Sequence, residues 1–514
     1  MLADHDNPPD GVIALGQLAS TAGLDDSPHC FGMRVAELDS HLLIAGQTGT
    51  GKSELLKRIA VGLLHQRHAQ VIFDPHGHLT DELLDAIVCA APQAADQVVV
   101  ADFADTDHPV QLNPLDIDDH GDVEPTVSAV LESFAGAGLK NTPRARSLAE
   151  TALCAMCEAN LALGPDDPKL TIAHLPAFLN DAELRQLTVA LVTNPAARAA
   201  FDPEVGTFET LSDKERRAWP QEAVRPLDSL TCAPQLASFM SGRNLLDFAE
   251  LVRQRRTVIV RLANHRRHGA IGQLIGRMLL PLLVSQMDIY GRRRDPITGE
   301  VEGAGLRILL DEAAELLHAD AVALPLMAET RKWDVGLINV IQSIDELPDG
   351  AGKALLATSA SKICFAADGR TGELLSRAMG GDVRLADLAR QRNYAFHADV
   401  LLPTADVGRQ CSGPIAALGL PPLRTPEDGP LNAQQRALRA AIIERSRRTI
   451  ARPLAEVTAA AATYLQDCKG ALITRLQERL EAVEPRVAEG FLGRPAGPPT
   501  VLDVGPAPEN WKGW

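Results

Sequence analysis

Apolar residues along this chain gather in two patterns. Short, mostly apolar runs occur at Leu42 to Ala45, Gln70 to Phe73, Val98 to Ala101, Thr257 to Leu262, Leu306 to Leu310, Val335 to Ile341 and Lys362 to Phe365. Each is bounded by turn-forming or charged residues, the mark of a strand covered on both faces. Between Ser53 and Arg67 apolar positions instead recur at helical spacing. His41 to Phe73 therefore reads as strand, glycine-rich loop, amphipathic helix and strand, one parallel α/β unit. From about residue 125 to 245 the periodicity is helical, with breaks at Pro165, Pro168 and Pro195. After the Pro-rich "LGLPPLRTPEDGP" it is helical again, with Leu465, Leu472, Leu476, Leu480, Val483 and Val487 on one face.

These patterns predict an α/β core with a mainly parallel sheet, interrupted by an inserted all-α domain and followed by C-terminal helices. The expected division is a short N-terminal cap over 1–40 with a strand or two, a first core segment over 41–120, the insertion over 121–245, a second core segment over 246–425, helices over 426–490 and a tail over 491–514. That tail holds five prolines and four glycines, ends "ENWKGW", and is expected to be disordered.

Composition narrows the class. With 46% hydrophobic and 23% charged residues in 514, the chain is that of an ordinary multidomain soluble protein. A net charge of −17 excludes a surface that is basic all over, so a polyanion partner needs a local cationic lining. Eight scattered cysteines form no disulfide framework, and "MLADHDNPPDGV" lacks the regions of a signal peptide. A cytoplasmic setting is expected. Cys154 and Cys157 resemble half a zinc site, but they sit in a helical stretch with no second pair, which favours a structural role. Ile271 to Met287 falls short of the roughly 20 apolar residues of a membrane span and carries Arg277, so it reads as a buried helix, with no membrane insertion expected.

The chemistry begins at "GQTGTGKS". Gly46, Gln47, Thr48, Gly49, Thr50, Gly51, Lys52 and Ser53 fit a Walker A loop between an apolar strand and a helix. The glycines let backbone N–H groups turn toward phosphate oxygens, Lys52 reaches the β- and γ-phosphates, and Ser53 ligates Mg²⁺. "LRILLDEAAELL" supplies the carboxylates of a Walker B: Asp311, holding the metal through its water shell, and Glu312, able to take a proton from an attacking water. That pair points to ATP hydrolysis. Downstream, Arg331 and Lys332 precede a strand that ends at Gln342, a position suited to sensing the γ-phosphate.

The order GxxxxGKS, Asp74-Pro75-His76-Gly77, "LNPL", helical insertion, "LLDE", then Arg-Lys and a strand ending in Gln resembles the FtsK–HerA superfamily of DNA pumps. Within it, the chain is most similar to the soluble part of the conjugative type IV coupling proteins (TraD/TraG-like), with HerA-type helicases close by, over roughly residues 40 to 400. The resemblance implies a RecA-like P-loop ATPase, a hexamer with ATP and Mg²⁺ between subunits and DNA in a central pore. It makes Arg331 an arginine finger acting on the neighbouring subunit, with Arg377 a second candidate, and places Asp74 and His76 near the nucleotide, in a supporting role there, His76 as a hydrogen-bonded core histidine and not a catalyst. A single phosphate loop agrees: an arginine acting in trans requires an oligomer, and a closed ring satisfies it. Asn113 reads as structural. Conjugative coupling proteins usually begin with membrane helices and HerA proteins with a β-barrel, and this chain shows neither; attachment at the inner face of the membrane would then come through a partner.

A DNA pump lines its channel with cations on phosphates. Candidates are Arg266 and Arg267, Arg292 to Arg294, and the run Arg436, Arg439, Arg445, Arg447, Arg448 and Arg452, which only Glu444 opposes locally. Two further readings share these motifs: a protein-export ATPase of a type IV secretion apparatus, and an ATPase scaffold that presents a nuclease in anti-phage defence. A secretion channel, a relaxosome or a nuclease are the partners these readings imply.

Overall fold

The computed structural model describes residues 2–3, 10–19, 29–117, 122–134, 143–231, 244–263, 269–292, 305–317, 320–330, 334–367, 369–381, 383–404 and 408–492. Three strands come first, β1 (Leu2–Ala3), β2 (Val12–Leu18) and β3 (Cys30–Arg34). Seven follow from the apolar runs: β4 (Leu42–Ala45), β5 (Gln70–Asp74), β6 (Val98–Asp102), β7 (Thr257–Arg261), β8 (Arg307–Leu310), β9 (Gly336–Ile341) and β10 (Ser361–Cys364). Four more close the series, β11 (Ala395–Asp399), β12 (Leu401–Thr404), β13 (Gly408–Cys411) and β14 (Ile415–Gly419).

Twelve of these make one sheet in the order β1-β3-β2-β14-β11-β10-β4-β9-β8-β5-β7-β6. From β10 to β6 every pairing is parallel. From β10 outward through β11, β14, β2, β3 and β1 every pairing is antiparallel. The N-terminal strands are thus the outer portion of the same sheet and not a cap set apart from it. β9 lies between β4 and β8, so the strand carrying Asp311 is one place removed from the phosphate-loop strand instead of beside it.

Strand residues alternate between two cores. Leu42 and Ile44 face one side with α1 (Lys52–His65) and α2 (His78–Ala90), while Leu43, Val71 and Phe73 face the other. The regular elements described between β6 and β7 are helices: α3 (Val123–Phe134), α4 (Pro143–Ala162), α5 (Leu175–Asn180), α6 (Ala182–Leu191), α7 (Pro195–Phe201), α8 (Asp213–Thr231) and α9 (Phe248–Arg253), with one short 3-10 turn. They join the second core. Cys154 and Cys157 lie on α4, and burial pushes the Cys154 thiol up to about 11. Asn113 bonds the backbone of Leu170 and Leu115.

α10 (Gly269–Arg292) buries Leu279, Leu280 and Leu283, in keeping with the apolar run that begins at Ile271. No helix among the described residues is long and apolar enough to cross a membrane. Short helices α11 (Ala313–Leu316), α12 (Asp320–Glu329), α13 (Asp349–Thr358), α14 (Gly369–Ala378) and α15 (Leu385–Ala389) complete the core, with Arg377 in the last turn of α14.

Two C-terminal helices follow, α16 (Ala433–Ile450) and α17 (Leu454–Leu492). α16 runs along the sheet edge, where Val100 N–H donates to Ser446 Oγ at 2.9 Å. Its arginines hold it there. Arg439 pairs with Asp81 and Asp85, Arg447 with Asp105, and Arg445 donates to the carbonyls of Ala95 and Val98. This corrects the expectation of a cationic lining unopposed except by Glu444: the opposing acids come from segments some 350 residues earlier in the chain. Arg266, Arg267, Arg293, Arg294 and the tail from 493 lie outside the described residues. On α17 Leu472 is fully buried while Leu480, two turns later, is 67% exposed, so the apolar stripe leaves the core between them.

Candidate functional site

The parallel strands end at one edge, and the polar residues that follow them converge there. β4 leads into the glycine loop, whose backbone is held from several sides: Gly46 N–H donates to Ile341 O, Gln47 N–H to Ala366 O, and Tyr394 N–H to Thr50 O at 2.8 Å. Gly51 has a φ of 112°, and a Cβ there would meet the Tyr394 ring at 2.8 Å. Any side chain would clash. The loop opens into α1, whose first turn carries Lys52 and Ser53. Lys52 Nζ donates to Gln47 O at 2.8 Å, closing the loop on itself. Burial holds its ammonium below the usual lysine range, against the opposing pull of Asp311 and Glu312.

A cleft of about 740 Å³ opens at this loop. Thr48, Gly49, Gly51, Lys52, Ser53, Asp311, Glu312 and Gln342 line it, so the two Walker motifs and the strand-end glutamine share one space. Gly46, Gln47 and Thr50 complete the loop without lining the cleft, Thr50 donating to Gln47 O. Asp311 is half-buried, and that burial, with Asp74 and Glu312 close by, pushes its carboxyl up to about 7. Crowded carboxylates beside a serine hydroxyl form a donor set that a hard divalent cation can relieve.

Glu312 stands at φ 48°, ψ 58°, left-handed for a residue that is not glycine. Such strain costs about 1–3 kcal/mol and clusters where a side chain must be aimed. Its carboxylate is clamped. One oxygen meets His76 Nε2 at 2.5 Å, and the other accepts from Gln342 Nε2 at 2.9 Å. Gln342 Oε1 in turn accepts from Thr48 Oγ1 at 2.8 Å. A continuous hydrogen-bonded path therefore joins the phosphate loop, the end of β9, the Walker B glutamate and the turn after β5. The hydrogen bond to Glu312 raises the His76 imidazole to about 8, and the same bond holds Glu312 below the usual glutamate range.

Asp74, expected beside the nucleotide, serves another purpose. It is fully buried, and its carboxylate accepts from the N–H groups of His76, Gly77 and Thr80 and from Thr80 Oγ1. It shapes the turn that opens α2 and has no oxygen turned to the cleft. Gly77, at φ 83°, permits that turn, since a Cβ there would meet Ala263 O at 2.3 Å. His76 does not line the cleft either; about half exposed, it reaches it only through Glu312.

Arg331 and Lys332 lie outside the described residues. Their described flanks, Thr330 and Asp334, stand before the first residue of β9, whereas Gln342 follows its last. Six strand residues span roughly 20 Å. Sequence reasoning missed Tyr394 and the segment from Pro422 to Gly429, which line the cleft with Lys57, Glu82 and Asp85. A rarity offers a faint signal: Tyr394 is one of only three tyrosines in the chain.

This geometry defines a RecA-like P-loop core. The family model for the central domain of helicase HerA matches residues 13–168. Among solved structures, VirB4 of Thermoanaerobacter pseudethanolicus aligns at TM-score 0.50 and 15% identity, covering 81% of this chain and 98% of that one. The bacterial conjugative coupling protein TrwB, without its first 70 residues, aligns at 0.49 and 16%, covering 80% and 89%. TrwB with ADP and Mg²⁺ aligns at 0.48 and 16%, covering 76% and 89%. No curated protein matches. These matches show the fold and, over residues 13–168, a similarity to the HerA central domain.

Proposed function

We propose that this chain is an ATP-hydrolysing motor that assembles as a ring, a hexamer, and moves DNA through its central channel. The observation that carries the hydrolytic role is the shared cleft of Lys52, Ser53, Asp311, Glu312 and Gln342. Lys52 leaves Gln47 O for the β- and γ-phosphates, and Ser53 and Asp311 are the residues that would hold Mg²⁺, which would supply positive charge against the phosphates. Glu312 accepts a proton from the attacking water, with His76 and Gln342 fixing its carboxylate. The bond between Gln342 and Thr48 links the phosphate loop to the end of β9. The distance along β9 favours Arg331 acting on the site of a neighbouring subunit rather than its own.

A second reading, a secretion ATPase that moves protein, is supported by the fold shared with VirB4 and by the pairing of Arg439 and Arg447 within the chain, which leaves fewer cations for DNA phosphates. The test is the ATPase rate of the purified chain against its own concentration, with and without single- and double-stranded DNA. A motor of this kind gains specific activity with concentration and again with DNA. Turnover that DNA does not change would favour protein as cargo, and a rate per chain that is constant down to the monomer would remove the ring.

A further inference from the structure

The Walker motifs account for part of the cleft only. The rest of its lining includes two elements that no motif assigns. One is Tyr394, 46% exposed and held at φ 66°, a conformation that a bulky residue adopts only under constraint. Its backbone is fixed on both sides, N–H to Thr50 O at 2.8 Å and C=O from Gly419 N at 2.7 Å, so its Cα is anchored beside the phosphate loop. Gly51, lacking a Cβ, lets that ring come against the loop. The other is the linker between β14 and α16, represented by Pro422, Thr425 and Pro426. It is tied to the phosphate-loop helix, because Leu423 N–H donates to Glu54 Oε1 at 2.8 Å and Arg58 donates to Pro421 O.

We propose that this part of the cleft is a nucleobase subsite, in which the base of a bound nucleoside triphosphate stacks on Tyr394 and is covered by the Pro422–Pro426 linker of the same chain. The inference rests on the reading of the cleft as a nucleotide site. With the triphosphate on Lys52 and Ser53, at the start of α1, the ribose and base must leave along α1. Tyr394 and the linker flank that path beside Gly51 and Glu54. An aromatic face selects any flat base and reads no hydrogen-bonding edge, so the subsite accepts ATP and GTP alike. Stacking of a base on an aromatic ring changes affinity by roughly tenfold when the ring is removed. The strained backbone at Tyr394 is the cost of presenting that ring.

The experiment measures calorimetric affinities of the full chain for ATP, GTP and inorganic tripolyphosphate with Mg²⁺, for the unmodified protein, Tyr394→Ala and Tyr394→Phe. The expected result is that Tyr394→Ala weakens ATP and GTP about tenfold, leaves tripolyphosphate unchanged, and that Tyr394→Phe restores the nucleotides. The unchanged tripolyphosphate also reports that the variant is folded. Equal weakening of all three ligands, or none, would overturn the subsite while leaving the phosphate site standing. If the unmodified chain bound no nucleotide at all, the reading beneath it would fall instead.

Discussion

The two ends of the parallel sheet bury polar groups of the same kinds for opposite purposes. At the end where β8 stops, Asp311, Glu312, His76 and Gln342 are partly open, crowded with like charge, and the titratable three are displaced from their usual ionisation. At the end where β8 starts, Arg307 is 2% exposed: it pairs with Asp39 and donates to the carbonyls of Leu306, Asp334 and Val35. One edge keeps its charged groups open to a ligand, and the other resolves its charge by pairing within the chain. That internal resolution braces Asp334, three residues after Arg331.

Substitutions at the two edges should therefore fail differently. Glu312→Gln is expected to lower turnover by about 10²–10⁴-fold, the range of a lost general base, while nucleotide affinity stays within a few-fold; single-turnover kinetics beside calorimetry checks both. Lys52→Ala should remove binding and turnover together. Arg307→Met, at the opposite edge, removes a buried guanidinium that pairs with Asp39 and donates to three carbonyls, and a loss of about 3–5 kcal/mol in stability is expected from denaturant titration. Turnover of whatever remains folded should fall far less than in Glu312→Gln. An Arg307 variant that is fully stable would dissolve the contrast.

The smallest effect is one of pH. Because the folded state raises His76 from 6.5 to about 8, the pair with Glu312 stabilises the chain fully below pH 6.5, and this contribution is lost as pH rises through about 8. Glu312, held low, loses its share at the acid end, as pH falls through its depressed value. The site is half open, so the change should stay under about 1 kcal/mol. In thermal melts between pH 6.5 and 9, His76→Gln should flatten the decline that the unmodified chain shows; an identical slope in both would contradict the clamp.

Much of the parallel half was legible because its strands are covered on both faces and end in motifs that act locally. β4 and Gly46 to Ser53 are contiguous, and so are β8 and Asp311. The antiparallel half was not. In "AFHADVLLPTADVGRQCSGPIAALG" the alternation is short and broken by Pro403, Gly413 and Pro414, and β14, which pairs with β2, lies some 400 residues from it. The role of Asp74 was legible only in outline: the resemblance put it near the nucleotide in a supporting role, and the four donors within six residues that claim its oxygens come from the shape of the turn. The α16 arginines looked free because the acids that meet them, Asp81, Asp85 and Asp105, are distant in sequence.

A site shared between subunits is tested most directly by mixing two disabled variants. Lys52→Ala keeps Arg331 but cannot hold nucleotide; Arg331→Ala keeps its phosphate loop but lacks the finger. Each alone should be inactive, and a co-assembled mixture should recover a sizeable fraction of the unmodified rate, since some interfaces then join an intact loop to an intact arginine. Arg331→Ala hydrolysing ATP by itself at the normal rate, or a mixed ring as inactive as its components, would contradict the shared site.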